Sequence, residues 1–352
     1  MQILYICSIM PPYAGGAAVD YGIILKSLVD YHGKRFKQIR VLTERGCNKI
    51  ESEKVKIDDI LFNYDSAAAG NKSFFKQFLN YFIILYYILF TSNDVVQIHA
   101  RYVYAKYVGR IIFLALLLSP SRVFIDIRDR FYSNFGKWQK FIVCSEELME
   151  YYSWLSKKTY IPVPLMMPPL DESTEQKHQI AYIGSIVENK GVTELLNGYE
   201  EYLKESTNPM ELHFWGMNFM GKGFQKKARA IERLKYLGVV PNDQIYDIIM
   251  RYKAVILPSP SEGMPRICLE TMFCNRIIVC PNNIKSIASY IPREFVLKSL
   301  NPEELKEMLL FVEAYDRKIA YSYDFSIHSP QKVSDKLLEL YKQIEDGDLR
   351  HV

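Results

Sequence analysis

Short β-branched runs alternate with longer segments that have apolar residues at helical spacing, and this order limits the folds open to the chain. QILYICSI (2–9), IRVLT (39–43), DVVQIHA (94–100), RVFIDIRD (122–129) and KFIVCS (140–145) predict strands, with helices at 18–31, 74–90 and about 103–118 between them. Parallel strands need a crossover connection, usually a helix. The sequence therefore predicts an α/β fold with mostly parallel sheets.

A proline-rich segment divides this alternation into two halves. IPVPLMMPPLDESTEQKH (161–178) has four prolines followed by a polar run, which suits neither a helix nor a central strand. After it, QIAYIGS, ELHFWG, AVILPS and RIIVCP again predict strands separated by helices. We expect one domain at 1–165, a linker at 166–178 and a second domain at 179–325. A last amphipathic helix at 330–347 is expected to pack back on the first domain, although its periodicity alone selects neither domain.

Composition narrows the partners of the chain. It has 352 residues, of which 49% are hydrophobic, and a formal net charge of +4 without a long Lys/Arg block. We therefore expect no nucleic-acid partner, while an anionic small ligand and an anionic membrane surface suit this charge equally well. The many Lys, Ile, Tyr and Asn residues are typical of a bacterial genome. MQILYICSIMPP lacks a basic leader, so we expect no signal peptide and a cytoplasmic protein.

The cysteines show neither a metal-binding nor a redox pattern. They form no CxxC pair, and most lie in apolar runs, where a free thiol behaves as a small hydrophobe. The six are Cys7, Cys47, Cys144, Cys268, Cys274 and Cys280. The only Asp-x-Asp, at Asp346 and Asp348, lies in a charged tail. We expect buried structural thiols and no metal site.

The segment FFKQFLNYFIILYYILF (74–90) is the longest apolar candidate. Its uninterrupted part after Asn80 covers ten residues, fewer than the roughly 20 needed to span a bilayer. Two interpretations stay open. It is a buried helix, or it is a helix that lies on a membrane surface with Lys72 and Lys76 at its start.

Three strand-to-helix turns are candidate ligand sites, because open parallel sheets bind ligands at the carboxyl ends of strands, where helix N-termini present free N–H groups. They are PPYAGGA (11–17), IGSIVENKG (183–191) and SPSEGMPRICLE (259–270). The first lacks the GxGxxG of dinucleotide sites and the second lacks the GxxxxGK[ST] of P-loops. An ordinary tight turn explains the first equally well, and a solvated side chain explains Lys190.

Two carboxylates, Glu262 and Glu270, stand seven residues apart in the third turn. They are an acid–base pair, two contacts to one ligand, or a helix end and a solvated face. Eight residues of helix rise about 12 Å, whereas the paired carboxylates of glycosidases lie about 5–9.5 Å apart. The spacing therefore favours one extended ligand held at two points. A carboxylate this deep in an apolar helix needs hydroxyl or amide partners, and the hydroxyls of a sugar and a ribose are such partners.

Together these motifs resemble glycosyltransferase family 4. The Glu-seven-Glu element is the most specific match, and the Lys190-Gly191 helix start, the Gly-Gly turn, DVVQIHA, IVCSEEL, LHFWG and LGVVPNDQIYDIIMRYKAVILPS extend the resemblance over nearly the whole chain. It implies the GT-B fold, in which two doubly wound Rossmann-like domains face a central cleft. The N-terminal domain would be the acceptor side, and the C-terminal domain would bind a nucleotide sugar.

The resemblance also implies roles for individual residues. Glu262 would contact the donor sugar at the reacting centre, Glu270 would hold the ribose, and Lys190 would neutralise the leaving diphosphate. Arg128 and Asp129 would complete the catalytic set with Glu262, and His99 and Arg101 would lie on the acceptor side. A structural role explains His99 equally well. The other donor-binding residues would be Gly16, Ser185, Gly216, Val240, Gly263, Met264, Pro265, Arg266 and Ile267.

Two positions depart from the family pattern. Ser185 stands where the family often has an Arg that pairs with the diphosphate, so that Arg266 or Arg128 would have to compensate. Arg128-Asp129 stands where the family often has His-Asp. Arg cannot act as a general base. Three roles stay open for Arg128: electrostatic stabilisation of the diphosphate, placement of the acceptor, or a surface ion pair with Asp129.

The expected function is retaining transfer of a sugar from a nucleotide-sugar donor to a hydroxyl of a lipid-linked oligosaccharide, in O-antigen or capsule synthesis. The resemblance implies a hexosyltransferase or related enzyme without metal or cofactor. Peripheral contact with the inner face of the plasma membrane would run through 74–90. The alternatives are a nucleotide-sugar 2-epimerase on the same fold and a catalytically silent partner subunit.

Overall fold

The computed structural model describes residues 1–7, 16–44, 52–61, 72–103, 109–130 and 140–342. The predicted segment 11–15, Cys47 and the stretch 343–348 lie outside these ranges. The chain forms two compact units, one of Met1–Met166 with Ser326–Val352 and one of Met167–Phe325. Each is built on one parallel sheet. The expected α/β fold class is therefore confirmed.

The first unit contains a seven-stranded sheet. Its strands are β1 (Gln2–Ile6), β2 (Gln38–Glu44), β3 (Val55–Leu61), β4 (Val95–His99), β5 (Arg122–Ile127), β6 (Lys140–Val143) and β7 (Lys158–Tyr160). They are ordered β3-β2-β1-β4-β5-β6-β7, so the chain changes direction in the sheet between β1 and β4. His99 ends β4 at this point, where doubly wound sheets bind ligands.

The second unit contains a six-stranded sheet. Its strands are β8 (Lys177–Ile183), β9 (Glu211–Trp215), β10 (Leu234–Gly238), β11 (Tyr252–Ile256), β12 (Ile277–Pro281) and β13 (Val296–Leu297). The order is β10-β9-β8-β11-β12-β13, and the direction changes between β8 and β11. The sequence predicts a helix over 224–235 and is wrong at its end, because the chain turns at Arg233, whose φ is 60°, and enters β10.

Twelve α-helices occur among the described residues. In the first part of the chain they are α1 (Gly16–His32), α2 (Lys72–Phe90), α3 (Ala100–Val103), α4 (Gly109–Leu118) and α5 (Glu146–Tyr151). In the second unit they are α6 (Val192–Glu205), α7 (Gly221–Ala230), α8 (Ile245–Met250), α9 (Arg266–Phe273), α10 (Lys285–Ala288) and α11 (Pro302–Ala314). The last is α12 (Pro330–Lys342). No helix in the described ranges is long and apolar enough to cross a membrane.

Helices α1 and α12 pack together in the first unit. Val333, Leu337 and Tyr341 of α12 are fully buried in the same core cluster as Tyr5 of β1. The hydroxyls of Tyr5 and Tyr341 are 2.6 Å apart. The five described cysteines form no disulfide bond with one another, and they are buried, as predicted. Burial raises the pKa of the thiols of Cys144 and Cys268 above the ordinary value, which suits structural residues.

Candidate functional site

Two loops meet in the second unit where its strand order changes direction. They follow the neighbouring strands β8 and β11 and cover residues 184–191 and 257–265. Gly191 brings them together, because its backbone is left-handed (φ 70°) and a Cβ there would lie 2.0 Å from the carbonyl oxygen of Pro258. Only glycine fits this close approach. The contact places Lys190 beside the turn that carries Glu262.

Lys190 and Glu262 form an ion pair across these two loops. The Lys190 Nζ donates to Glu262 Oε1 at 2.6 Å. Their side chains are 30% and 15% exposed, so both remain within reach of solvent. The sequence assigns the two residues to separate points of a ligand, and the structure shows that they contact each other. A ligand with both an anion and hydroxyls can therefore take the place of each partner.

The turn after β11 is held by its own backbone and side chains. The Oγ of the buried Ser259 donates to the carbonyl of Ser261 at 3.1 Å. Gly263 and Pro265 are buried and Met264 is half-buried. Helix α9 begins at Arg266, directly after Pro265. Glu270 therefore lies just over one turn into the helix.

Arg266 and Glu270 form a second ion pair, within α9. The Arg266 Nη2 donates to Glu270 Oε1 at 3.0 Å, and the two side chains are 9% and 8% exposed. Sequence reasoning expects hydroxyl or amide partners for this buried carboxylate, whereas the structure supplies a guanidinium one turn earlier. Their i, i+4 spacing is the signal that identifies this pair in the sequence. A buried carboxylate is tolerated in this way because an opposite charge accompanies it.

Tyr246 is a site residue that the sequence does not reveal. Its ring packs edge-to-face against Phe273 of α9, with centroids 5.7 Å apart. Its hydroxyl is buried and makes no hydrogen bond to any part of the chain that the structure describes. Burial, and then the negative charge of Glu270, raise the pKa of this phenol above its ordinary value. The hydroxyl is therefore protonated and lies within electrostatic range of the Glu270 carboxylate.

Three further predicted residues follow the carboxyl ends of adjacent strands. Ser185, Gly216 and Val240 come after β8, β9 and β10, at the sheet edge that also carries Lys190 and Glu262. Gly216 is required by packing, since its φ is 139° and a Cβ there would lie 1.8 Å from the carbonyl oxygen of Gly184. The predicted donor residues of the second unit thus share one sheet edge and one helix start.

Arg128 is part of a buried network in the first unit. Its guanidinium donates to Asp126 at 2.8 and 3.0 Å and to Asp20 at 3.1 Å, and it lies over the ring of Tyr21. The interpretation of Arg128 as a surface partner of Asp129 is wrong, because the residue is 7% exposed and its ion pairs are with other carboxylates. Burial acts to lower its pKa, but the charge of Asp126 and the other nearby groups raise it well above the ordinary value.

The remaining predicted residues lie around the carboxyl edge of the first sheet. His99 is buried, and its ring meets the ring of Tyr21 edge-on at 6.1 Å. Asp129 follows β5, and its carbonyl accepts from the hydroxyl of Tyr152 at 2.8 Å. Gly16 is exposed at the start of α1. Arg101 lies in α3, and its side chain is outside the described residues.

Comparison with known proteins gives a family match for part of the chain. Residues 177–314 match the family described as glycosyl transferases group 1. A Bacillus subtilis (strain 168) protein named as a teichuronic acid biosynthesis glycosyltransferase, TuaC, is 25% identical over 154 residues. This alignment covers 40% of the chain and 37% of the length of that relative.

Solved structures match the chain over almost its full length. Sucrose-phosphate synthase from Thermosynechococcus elongatus has a TM-score of 0.67 and 11% identity, with 98% of this chain and 99% of that chain covered. A variant of S. aureus TarM, in complex with Fondaparinux, alpha-GlcNAc-glycerol and UDP, has a TM-score of 0.63 and 11% identity over 98% and 97% of the two chains. These likenesses confirm the two-Rossmann GT-B fold, and residues 177–314, which carry both ion pairs, match the glycosyl transferases group 1 family.

Proposed function

We propose that the protein is a retaining glycosyltransferase of family 4, which moves a sugar from a nucleotide-sugar donor to a hydroxyl of a lipid-linked oligosaccharide. The observation that carries this proposal is the Lys190–Glu262 ion pair, at the strand-order switch of the family-matched segment. The relative named for teichuronic acid biosynthesis supports a cell-surface polysaccharide as product. The UDP bound to TarM supports a nucleotide sugar as donor.

Donor binding in this proposal exchanges the partners of the two ion pairs. The diphosphate replaces Glu262 beside Lys190, and the released carboxylate accepts hydrogen bonds from the donor sugar. Glu270 accepts from the ribose hydroxyls, with the Tyr246 hydroxyl close by. The backbone N–H groups around Gly263 to Ile267, at the start of α9, face the sugar and the diphosphate.

Arg266, and not Arg128, is the second cation for the diphosphate in this proposal. Arg128 already pairs with two carboxylates, so that its cluster has no positive charge to offer. Arg266 lies in the first turn of α9, at the start of the helix that follows the Glu262 turn, where it pairs with Glu270, and it therefore compensates for Ser185. The role that follows for Arg128 is to fix the carboxyl end of β5, where Asp129 stands.

In the proposed transfer step, the bond broken, the bond formed and the proton transferred are all accounted for without a metal or cofactor. The bond between the sugar C1 and the diphosphate oxygen breaks, and the acceptor oxygen bonds to C1 on the same face. The acceptor proton goes to the leaving diphosphate. Lys190 and Arg266 stabilise the charge that develops on this group. A lipid-linked acceptor would place the reaction at the inner face of the plasma membrane, with residues 74–90 in peripheral contact.

A binding screen followed by paired substitutions tests this function. A nucleotide sugar that binds the site, when present at 100 times its Kd, should raise the free energy of unfolding by about 2.7 kcal/mol. A thermal-shift screen detects this as a higher melting temperature. With that donor, Lys190→Met and Glu262→Gln should each lower sugar transfer about 100-fold or more while the protein stays folded. Lys204→Met and Glu201→Gln are the controls, since these residues form an exposed pair of similar length, 2.7 Å, in the same unit.

Two outcomes would contradict the proposal. Equal turnover in all four variants would show that Lys190 and Glu262 are not part of the donor site. Conversion of the donor alone into a new sugar isomer would establish an epimerase. The anomeric configuration of the product, read by proton NMR, tests retention separately.

A further inference from the structure

Helices α2 and α4 of the first unit pack side by side and are apolar on both their inner and outer faces. On the inner face, Tyr81, Ile84 and Ile88 of α2 are buried, as are Ile112 and Leu116 of α4. On the outer face, the large apolar side chains are between 38% and 74% exposed: Phe78, Phe82, Tyr86, Leu89, Phe90, Ile111, Leu114, Leu117 and Leu118. We call these nine residues the α2–α4 patch.

The α2–α4 patch is larger than the apolar patches that soluble monomeric proteins usually expose. Nine of the 19 exposed large apolar side chains in the described part of the chain belong to it. Together they expose an area on the order of 900 Å², against about 300–600 Å² for the largest apolar patch of a typical monomer. A patch of this size indicates an interaction surface.

Aromatic rings form an ordered row along the α2 part of the patch. Phe78 and Phe82 meet edge-on with centroids 4.8 Å apart. One helical turn further, Tyr86 and Phe90 stack at 5.7 Å. Exposed aromatic rings on one helix face are typical of elements that lie in the boundary between lipid headgroups and acyl chains.

The charges of the two helices all have one sign. Lys72, Lys76 and Arg110 are basic, and neither helix has an acidic residue. Each basic residue lies in the first or second turn of its helix. Helix α2 leads into β4 and α4 leads into β5, and these strands are parallel neighbours, so both helices begin at the same edge of the sheet. All three basic residues therefore belong to the helix ends that share this sheet edge.

We propose that the α2–α4 patch binds the surface of a bilayer that contains anionic lipids. The apolar side chains enter the boundary between headgroups and acyl chains, and the basic helix starts attract anionic headgroups. The inference rests on the peripheral location in the proposed function. It extends the contact from residues 74–90 to a two-helix surface and names the lipid chemistry.

Flotation with lipid vesicles tests the patch directly, without donor or acceptor. Phe82→Ser/Leu114→Ser should lower binding of the full chain to phosphatidylcholine–phosphatidylglycerol vesicles about tenfold or more, because both side chains lose the area they bury in lipid. The control is Tyr31→Ser/Met166→Ser, whose side chains are equally exposed in the same unit but lie outside the patch. The control should bind as the wild type does, and both variants should unfold at the wild-type temperature.

The charge argument has its own test. Lys72→Gln/Lys76→Gln/Arg110→Gln should bind pure phosphatidylcholine vesicles like the wild type but lose the gain from phosphatidylglycerol. The wild-type gain should shrink at high salt, since salt screens surface charges. An undiminished gain in the triple variant would overturn the preference for anionic lipid.

Two results would overturn the surface itself. One is equal vesicle binding by the patch variant and its control. The other is a wild-type dimer that the patch variant converts to a monomer, with no vesicle binding by either, which would show that a second copy covers the patch. Transfer to a soluble acceptor is measured separately, so failure of vesicle binding is distinguishable from failure of the proposed enzyme activity.

Discussion

At the residue scale, the two ion pairs of the candidate site define what a ligand must offer. Lys190 pairs with Glu262 and Arg266 pairs with Glu270, so that each cation and each carboxylate is already matched. A ligand with only an anionic group would satisfy the cations and displace the carboxylates. A nucleotide sugar offers a diphosphate for the cations and hydroxyls for the carboxylates, and in the proposed function it would replace both sets of contacts.

The buried Arg266–Glu270 pair yields a prediction about stability. Arg266→Met should lower the free energy of unfolding by on the order of 3 kcal/mol, because it removes the positive charge beside a buried carboxylate. The double variant Arg266→Met/Glu270→Leu should recover most of this loss, since apolar replacement of a buried ion pair is often neutral. Urea unfolding measures both.

The exposed pair of Glu201 and Lys204 is the control for this double-mutant cycle. Lys204→Met should change the free energy of unfolding by less than about 1 kcal/mol. If Arg266→Met shifted the unfolding midpoint no further than this control, the ion pair with Arg266 would not explain why Glu270 can be buried.

The four charged residues of the two site ion pairs all belong to motifs that are visible in the sequence. Only one of the two pairings can be predicted from the sequence. Arg266 and Glu270 are one helical turn apart, so their spacing predicts contact. Lys190 and Glu262 are 72 residues apart, and they meet only because Gly191 packs against Pro258. The network of Arg128 is hidden for the same reason, since Asp20 lies 108 residues away.

At the element scale, loops that follow adjacent strands build the site. Strong strands and helices could be predicted because their periodicity is regular. The strand β3 (Val55–Leu61) could not, because it lies at the sheet edge and its VKIDDIL sequence has polar residues on both faces. The helix-to-strand change at Arg233 was also hidden, since a left-handed residue other than glycine has no strong sequence signal.

The contact of Gly191 with Pro258 predicts a coupled loss of stability and binding. Gly191→Ala should lower the free energy of unfolding by about 1–3 kcal/mol, because the new Cβ overlaps a carbonyl and the left-handed backbone disfavours alanine. It should also weaken donor binding, because Lys190 moves away from Glu262. Thermal unfolding with and without the donor measures both effects.

Gly223→Ala is the matched control for this substitution. Gly223 lies within α7, and nothing stands within 4 Å of the Cβ that it would gain. Alanine there should raise stability by up to about 1 kcal/mol and leave the donor-induced shift unchanged. If the two variants behaved alike, the close approach at Gly191 would not hold the loops together.

At the scale of the whole molecule, the first unit is interrupted in sequence. The chain leaves it after Met166, builds the second unit, and returns at Ser326. The α/β alternation predicts the two parallel sheets, because that pattern recurs on both sides of the prolines. Which core receives α12 does not follow from its pattern, since the apolar stripe of an amphipathic helix fits any apolar surface.

Removal of the segment Ser326–Val352, which returns to the first unit, should destabilise that unit selectively. A chain that ends at residue 325 lacks Val333, Leu337 and Tyr341 from the core around β1, and the hydrogen bonds of His328 with Val163 and Leu165. Amide hydrogen exchange should accelerate in β1 and β4 by orders of magnitude. Strands β8 and β11 should retain their protection. Equal loss of protection in both sheets, or in neither, would contradict this prediction.

The interrupted first unit has a consequence for how the protein is made. The ribosome extends a chain by about 5–20 residues per second, and domains usually fold in the order in which they are synthesised. Here the first seven strands emerge long before α12 (Pro330–Lys342), which leaves their core uncovered for roughly 10–30 seconds at these rates. The second unit is complete earlier, so the half that is translated first is finished last. Nascent chains therefore expose apolar surface on the early half, and a chaperone that holds this surface would act until synthesis of α12 ends the delay.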